Sequence, residues 1–488
     1  MDGSPSAIVK LLVPKIPLML KTALWHSLWL SPTSTKWDLR TEITVNIIRS
    51  LMDGSNPSPM GKLQRSTIKD PGVKGKMWIS KVTMSPPPED DVRQALFKAI
   101  DDMKEGPVNY TQPEVAPVEA EWTGYRPDAA KDAEDSARSE EDNYERLMSD
   151  PSRKSEVTIL YFHGGAYYLM DPSTHRGPTV RLAKETGGRC FSVRYRLAPQ
   201  SAFPTQLLDG LVAYLSLLHP PPGSFHEPVP ASHIVFAGDS AGGNLSFALL
   251  QLLLQLHRTK PASQPHPTIR FHGADVAVPL PAGVSANSGW FDITRSMPSL
   301  ETNAHYDYLP PPSATASDPF PADDIWPTTP PRGDVFADLS LLCHPLVSPL
   351  AAPSWAGSPP LWIETGEEML TDEDAFVAAR AAAQGVTVVW EQYEAMPHCF
   401  AMMFEGLETS RRCMAGWGRF ARACVESPEV VRTGGTFVEA RTAREREVGV
   451  GGISGYSFEE VRGFMDRARE KRLLGWEREG KSMPKPNL

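Results

Sequence analysis

The 488-residue chain is 41% hydrophobic and 22% charged, an ordinary globular balance with room for one large domain and a lid, or for two or three domains. Its net charge of −10 argues against a nucleic-acid partner and supplies no overall attraction to anionic membranes. Five cysteines (Cys190, Cys343, Cys399, Cys413 and Cys424) are odd in number and scattered, without zinc spacing, and point to a reducing, intracellular location.

Residues 8–30, "IVKLLVPKIPLMLKTALWHSLWL", are apolar but broken by Lys10, Pro14, Lys15, Pro17 and Lys21, which is too interrupted for a membrane-spanning helix. They read as a lid helix, or as a segment lying in a membrane interface with Trp25 and Trp29 at headgroup depth. The protein is therefore expected to be cytoplasmic or peripherally attached to a membrane. Residues 1–125 are expected to form a helical cap, including an amphipathic helix over "EDDVRQALFKAIDDMK" and no strand-rich stretch. Residues 126–155 are dense in charge and read as a solvated helix or linker. From 156 to 430, short apolar runs alternate with helical patterns, the signature of a parallel sheet flanked by helices. Within that region the proline-rich stretch 309–331 predicts a surface loop, and residues 431–488 form a charged extension with a helical pattern.

The chemistry sits at the ends of the predicted strands. The run Val157–Phe162 leads into "HGGAYYLMD", where Gly164 and Gly165 can turn backbone N–H groups toward one point, as an oxyanion requires. His163 reads as a structural hydrogen-bonding residue. The run His233–Ala237 leads into "GDSAGGN" and then an apolar helix. Ser240 thus lies on a tight strand-to-helix turn, with Ala241 supplying a further N–H. A third strand, Leu361–Glu364, precedes two acids, Glu368 and Asp372; a fourth precedes His398. The order serine, acid, histidine matches a nucleophile–acid–base triad. Glu368 is the expected acid, because Asp372 falls where a helix begins and suits N-terminal capping; Asp372 is the alternative. The Glu367–Glu368 pair has no histidine at ligand spacing, so neither a metal nor an organic cofactor is expected.

Taken together, "HGGA", "YRLAPQSAFPTQLLD", "GDSAGGN", "GEEMLTDE" and "MPHCF" resemble the hormone-sensitive-lipase-like branch of the α/β-hydrolases, the group of fungal and bacterial esterases and arylacetamide-deacetylase-like enzymes. The resemblance covers roughly residues 20–425. Ala166 stands at the third glycine position, Gln200 where a glutamate usually follows the proline, and Glu368 where aspartate is commonest. The resemblance implies the α/β-hydrolase fold and serine carboxylic-ester hydrolysis. Ser240 would be the nucleophile, His398 the base and Glu368 the orienting acid, with Gly164, Gly165 and Ala241 as the oxyanion hole. The expected substrate is a small-molecule or lipid ester, neutral and of short or medium acyl chain, in an apolar pocket near Tyr167, Tyr168, Trp290 and Phe400. An acyltransferase with the same triad and a ligand-binding protein on the same scaffold remain alternative readings. Nothing in the sequence points to a particular oligomeric state.

Overall fold

The computed structural model describes residues 9–10, 12–52, 57–130, 138–314 and 320–478. Its centre is a ten-stranded sheet in the order β1-β2-β4-β3-β5-β8-β9-β10-β11-β12. The strands are β1 (Met77–Met84), β2 (Val118–Tyr125), β3 (Thr158–Phe162), β4 (Arg189–Arg194) and β5 (Ile234–Asp239). A separate hairpin, β6 (Thr268–Phe271) and β7 (Ala274–Ala277), interrupts the series. There follow β8 (Gly283–Asn287), β9 (Leu361–Gly366), β10 (Val388–Tyr393), β11 (Gly434–Val438) and β12 (Glu445–Val448). From β4 to β11 every pairing is parallel, while β1, β2 and β12 run antiparallel at the two edges. This is the mainly parallel, helix-flanked architecture of an α/β-hydrolase.

A parallel sheet must be covered on both faces, so its strands can be apolar throughout. β3 shows this. Leu160 and Phe162 enter one apolar cluster and Ile159 and Tyr161 the other, in the two-residue alternation of a pleated strand. The helices Asp91–Met103, Thr205–Leu218, Ala241–Thr259 and Thr371–Ala383 contribute to the first cluster. Arg176–Thr186 and Glu408–Glu426 contribute to the second.

Three expectations from the sequence are corrected. The segment before residue 126 is not wholly helical, because β1 and β2 belong to the main sheet. The charged stretch after it contributes a packed helix, Glu140–Ser149, capped by Ser139, with Tyr144 and Leu147 in the core. The C-terminal extension supplies β11 and β12 before its helix, Phe458–Arg478, which buries Val461 and Met465. The proline-rich stretch behaves as read. Among its described residues the only regular element is a short turn at Pro312–Ala314.

Of the N-terminal helices Ile16–Ser27, Leu39–Met52 and Met60–Thr67, the second and third, with Trp37 before them, attach to loops at the carboxyl ends of the parallel strands. Trp37 donates its indole N–H to Ala395 O at 2.6 Å, after β10. Arg49 donates to the carbonyls of Ala304, His305 and Asp307. Gln64 donates to Tyr168 O (3.0 Å) and Ala198 O (3.1 Å), and Gln200 donates to Gln64 in turn. That bond gives the glutamine at position 200 its role.

One buried ion pair locks the antiparallel edge to the parallel core. Arg176 makes two bonds to Glu121 of β2, at 2.6 and 2.8 Å, two to Asp70 and one to the Gly72 carbonyl; the Arg176 and Glu121 side chains are 3% and 2% exposed. Glu121→Ala leaves that guanidinium buried with two of its five hydrogen bonds gone, and is expected to destabilise the fold by about 3–5 kcal/mol. Lys81→Ala, which removes only the exposed partner of Asp70, is expected to cause roughly 0–1 kcal/mol. Urea unfolding of both variants checks the contrast. Equal shifts would show that the buried pair has no special weight.

Candidate active site

Ser240 follows β5 with φ 52° and ψ −120°, a left-handed conformation uncommon for a residue with a side chain. Its glycine neighbours are dictated by crowding. A Cβ on Gly242 would lie 1.9 Å from Phe162 O, and one on Gly238 would lie 2.3 Å from the Gly242 carbonyl. The serine backbone is held on both sides: its N–H donates to Asn287 O (3.0 Å), and its carbonyl accepts from Asn244 and Trp290. The side chain is half-buried at the head of the helix Ala241–Thr259.

The oxyanion loop after β3 differs from expectation at one residue. The Gly164 N–H is already donated to Asp239 Oδ1 at 3.1 Å, so it does not face the serine as a free donor. A Cβ there would lie 2.3 Å from Asp239 Oδ2, which is why glycine occupies the position. The next residues turn through positive φ at Gly165 (105°), Ala166 (52°) and Tyr167 (65°). No acceptor among the described residues takes the N–H of Gly165, Ala166 or Ala241. Ala166, and not Gly164, thus stands beside Gly165 and Ala241 with a backbone N–H that no described acceptor takes.

Asp239 holds this loop to the serine turn. It accepts from Tyr161 (2.6 Å) and Gly164, and His175 Nε2 lies 3.5 Å away. Burial opposes its charge, but His175 and Tyr161 prevail and its pKa is lowered. His163 is structural, as read: its imidazole is stacked on Tyr195 at 4.3 Å, and burial drives its pKa down to about 3.

At the ends of β9 and β10 the acid and histidine loops touch. A Cβ on Gly366 would lie 2.0 Å from Met396 O, so only glycine allows the approach. His398 Nδ1 and Glu368 Oε2 are 2.6 Å apart, with both side chains at most 5% exposed. Asp372 lies elsewhere in the network: it accepts from Ser299 N at 2.8 Å and sits in the first turn of the helix Thr371–Ala383. Glu367 accepts from Ala395 N at 3.0 Å and braces the histidine loop.

The sequence reading missed the turn 303–308. Asn303 donates to Glu368 O (2.9 Å) and Asp307 accepts from Met369 N (3.1 Å), so both grip the backbone carrying the acid. Asp307 is fully buried; burial, then the charge of Glu368, raises its pKa to about 6. Burial also raises Glu364, Glu373 and Asp374 well above the carboxylate range. Among these carboxyls Glu368 alone is bonded to His398. Burial works against a charged His398, yet Cys399, Glu368 and Tyr308 outweigh it and its pKa is raised well above 6.5. The Cys399 thiol is itself pushed up to about 12 by burial.

Of the four aromatic residues expected near a pocket, Tyr167 and Phe400 are buried, Tyr167 stacked on Phe336 at 3.7 Å and Phe400 against Tyr393. Tyr168 and Trp290 are half-buried.

A family model described as the alpha/beta hydrolase fold matches residues 159–402, half of the chain. The chain belongs to the α/β-hydrolases, in the hormone-sensitive-lipase-like branch, and is a hydrolase of the carboxylesterase and lipase type. An acetyl-hydrolase of Streptomyces hygroscopicus is 30% identical over 273 residues, covering 56% of this chain and 77% of that protein. An esterase of Acinetobacter venetianus is 26% identical over 266 residues, covering 54% and 74%. A solved hormone-sensitive lipase from a metagenome library aligns with 80% of this chain and 99% of its own, at 24% identity and a TM-score of 0.49.

Glu368→Gln is expected to lower kcat by about 10⁴-fold in a folded protein, as loss of an orienting acid does. Asp372→Asn is expected to reduce melting temperature more than turnover. The base must be neutral to accept a proton, and a raised pKa keeps it protonated to higher pH. The acid limb of kcat/KM therefore has its midpoint above 6.5 in the wild type and moves down in Glu368→Gln. Loss of turnover in Asp372→Asn alone would reverse the assignment.

Proposed function

We propose that the chain hydrolyses neutral carboxylic esters of short or medium acyl length, with Ser240 as nucleophile, His398 as general base and acid, and Glu368 as the orienting carboxylate. The observation that carries this reading is the 2.6 Å contact between the His398 and Glu368 side chains, made by loops at the same sheet end as the strained turn of Ser240. In this reading Ser240 Oγ attacks the ester carbonyl carbon and its proton passes to His398 Nε2, while Glu368 holds Nδ1–H and balances the imidazolium charge. The N–H groups of Gly165, Ala166 and Ala241 take up the negative charge that develops on the carbonyl oxygen. The C–O bond breaks as His398 protonates the leaving alcohol. Water then attacks the acyl-serine by the same route and releases the acid.

The short acyl preference draws support from relatives called acetyl-hydrolase and acetyl esterase. Tyr168 and Trp290, as half-buried aromatics beside the oxyanion loop and the serine turn, are the side chains we assign to the substrate pocket. Trp37 and the helices Leu39–Met52 and Met60–Thr67, tied to the loops after β3 and β10 and to the turn 303–308, form its roof in this reading.

A fluorophosphonate probe is expected to label the wild type at Ser240 and to leave Ser240→Ala unlabelled. Against a series of nitrophenyl esters, kcat/KM is expected to peak at acetyl to medium acyl chains and to vanish in Ser240→Ala. Faster cleavage of a peptide or a phosphodiester, or transfer of the acyl group to an added alcohol in preference to water, would overturn the proposal.

A further inference from the structure

The net charge of the whole chain conceals an asymmetry. Residues 1–81 contain twelve lysines and arginines against five aspartates and glutamates, in a protein that carries −10 overall. Two of those five acids are in ion pairs, Glu42 with His26 and Asp70 with Arg176 and Lys81; of the twelve bases, Lys36, Arg65 and Lys81 are also paired with carboxylates. Between Asp2 and Asp38 there is no acid, while Lys10, Lys15, Lys21 and Lys36 lie in the same stretch.

The helix Ile16–Ser27 at the centre of this segment packs in an inverted way. Its side-chain hydrogen bonds to the helix Leu39–Met52 are Asn46 to Thr22 at 3.2 Å and His26 to Glu42, joined by Lys15, just before it, to the carbonyl of Ser50 at 3.2 Å. Leu18 and Met19 are half-buried, while most of its large apolar side chains face water. Val13, Ile16, Leu20, Leu24 and Leu28 recur at three- and four-residue spacing, one stripe of a helical surface. Leu20 is 66% exposed, Leu24 59% and Trp29 63%. Trp25 lies beside this stripe, with the Lys21 ammonium 5.4 Å from its ring. A soluble domain rarely leaves so continuous an apolar face in water without a partner.

We propose that this face is a docking surface for an anionic lipid bilayer, with the helix lying in the plane of the interface. Three observations select a bilayer. Exposed leucines flanked by tryptophans and lysines fit the boundary between acyl chains and headgroups. The basic charge of residues 1–81 complements anionic headgroups while the remaining chain, being acidic, is repelled, which orients the molecule. The helix has 12 residues, and among the described residues no helix is long and apolar enough to cross a membrane. Seating this face on a bilayer also brings the membrane to the side of the molecule that holds the active-site loops, because the helix behind it supplies Arg49 to the turn 304–307.

The test is flotation of the full chain with vesicles of phosphatidylcholine, with and without phosphatidylserine, read by bound protein and not by activity. The wild type is expected to float with phosphatidylserine vesicles, to float much less with phosphatidylcholine alone, and to be released by high salt. Leu20→Glu combined with Leu24→Glu removes exposed side chains only. It is expected to lower the bound fraction by about tenfold or more while hydrolysis of a soluble ester is unchanged. Lys10→Ala combined with Lys21→Ala is expected to weaken binding to the anionic vesicles alone. Failure of the wild type to float, or equal flotation of all variants, would overturn the proposal. So would a lipid-free dimer that the leucine double variant splits into monomers, since a second copy would then cover the face. Because binding is read without turnover, failure here leaves the esterase reading intact, and loss of esterase activity leaves this one intact.

Discussion

A single buried carboxylate joins the two halves of the reaction site. Asp239 ends the central strand β5 one residue before the nucleophile, and its oxygens receive the Tyr161 hydroxyl and the Gly164 N–H, with His175 close by. A buried anion is tolerated only where donors surround it. Meeting that requirement draws the loop after β3 against the turn after β5. Beyond the captured Gly164 the chain continues through positive φ at Gly165, Ala166 and Tyr167, and no described acceptor takes the N–H groups of Gly165 and Ala166. The donors offered to an oxyanion thus follow from where Asp239 places its acceptor.

The second constraint is backbone contact at the carboxyl ends of parallel strands. Gly164 approaches the Asp239 carboxylate, Gly242 meets the backbone of Phe162, and Gly366 meets that of Met396, each too closely for a Cβ. The first two bring the oxyanion loop to the serine; the third brings the acid to the histidine. The sheet can supply this precision because it is packed on both faces and its strand ends cannot drift. N-terminal contacts through Trp37, Arg49 and Gln64 tie the histidine loop, the turn 303–308 and the oxyanion loop to one another from outside the sheet.

These constraints explain what could be read from the amino-acid order and what could not. The places of Ser240, Glu368 and His398 were legible because each follows a short apolar strand, and a side chain just past such a strand is placed by the fold; the catalytic roles given to them are our proposal. The donor role assigned to Gly164 was not safe to read, since the direction of an N–H depends on backbone angles and on a competing acceptor 75 residues away in the chain. Tyr167 and Phe400 were near the motifs in sequence yet turn into the core, because side-chain direction at a loop has no period to read. β1 and β2 escaped notice among helices, although "VEAEWTGY" does alternate: Val118, Ala120 and Trp122 are buried, and the intervening Glu121 is buried only because Arg176 pairs with it. The turn 303–308 carries no local signal at all. Asn303 and Asp307 have their importance from contacts with residues more than 60 positions later.

The central claim is a geometry: Ser240 attacks while Gly165, Ala166 and Ala241 receive the oxyanion and Gly164 stays on Asp239. The most direct measurement is a crystal structure of the enzyme inactivated by a phosphonate ester, whose phosphonyl oxygen stands for the tetrahedral oxyanion. The account predicts phosphorus bonded to Ser240 Oγ, its oxygen within hydrogen-bond distance of those three N–H groups, His398 Nε2 facing Ser240 Oγ or the leaving-group oxygen, and Nδ1 still on Glu368. An adduct oxygen bonded to the Gly164 N–H with Asp239 displaced, or an adduct formed at any residue other than Ser240, would contradict it.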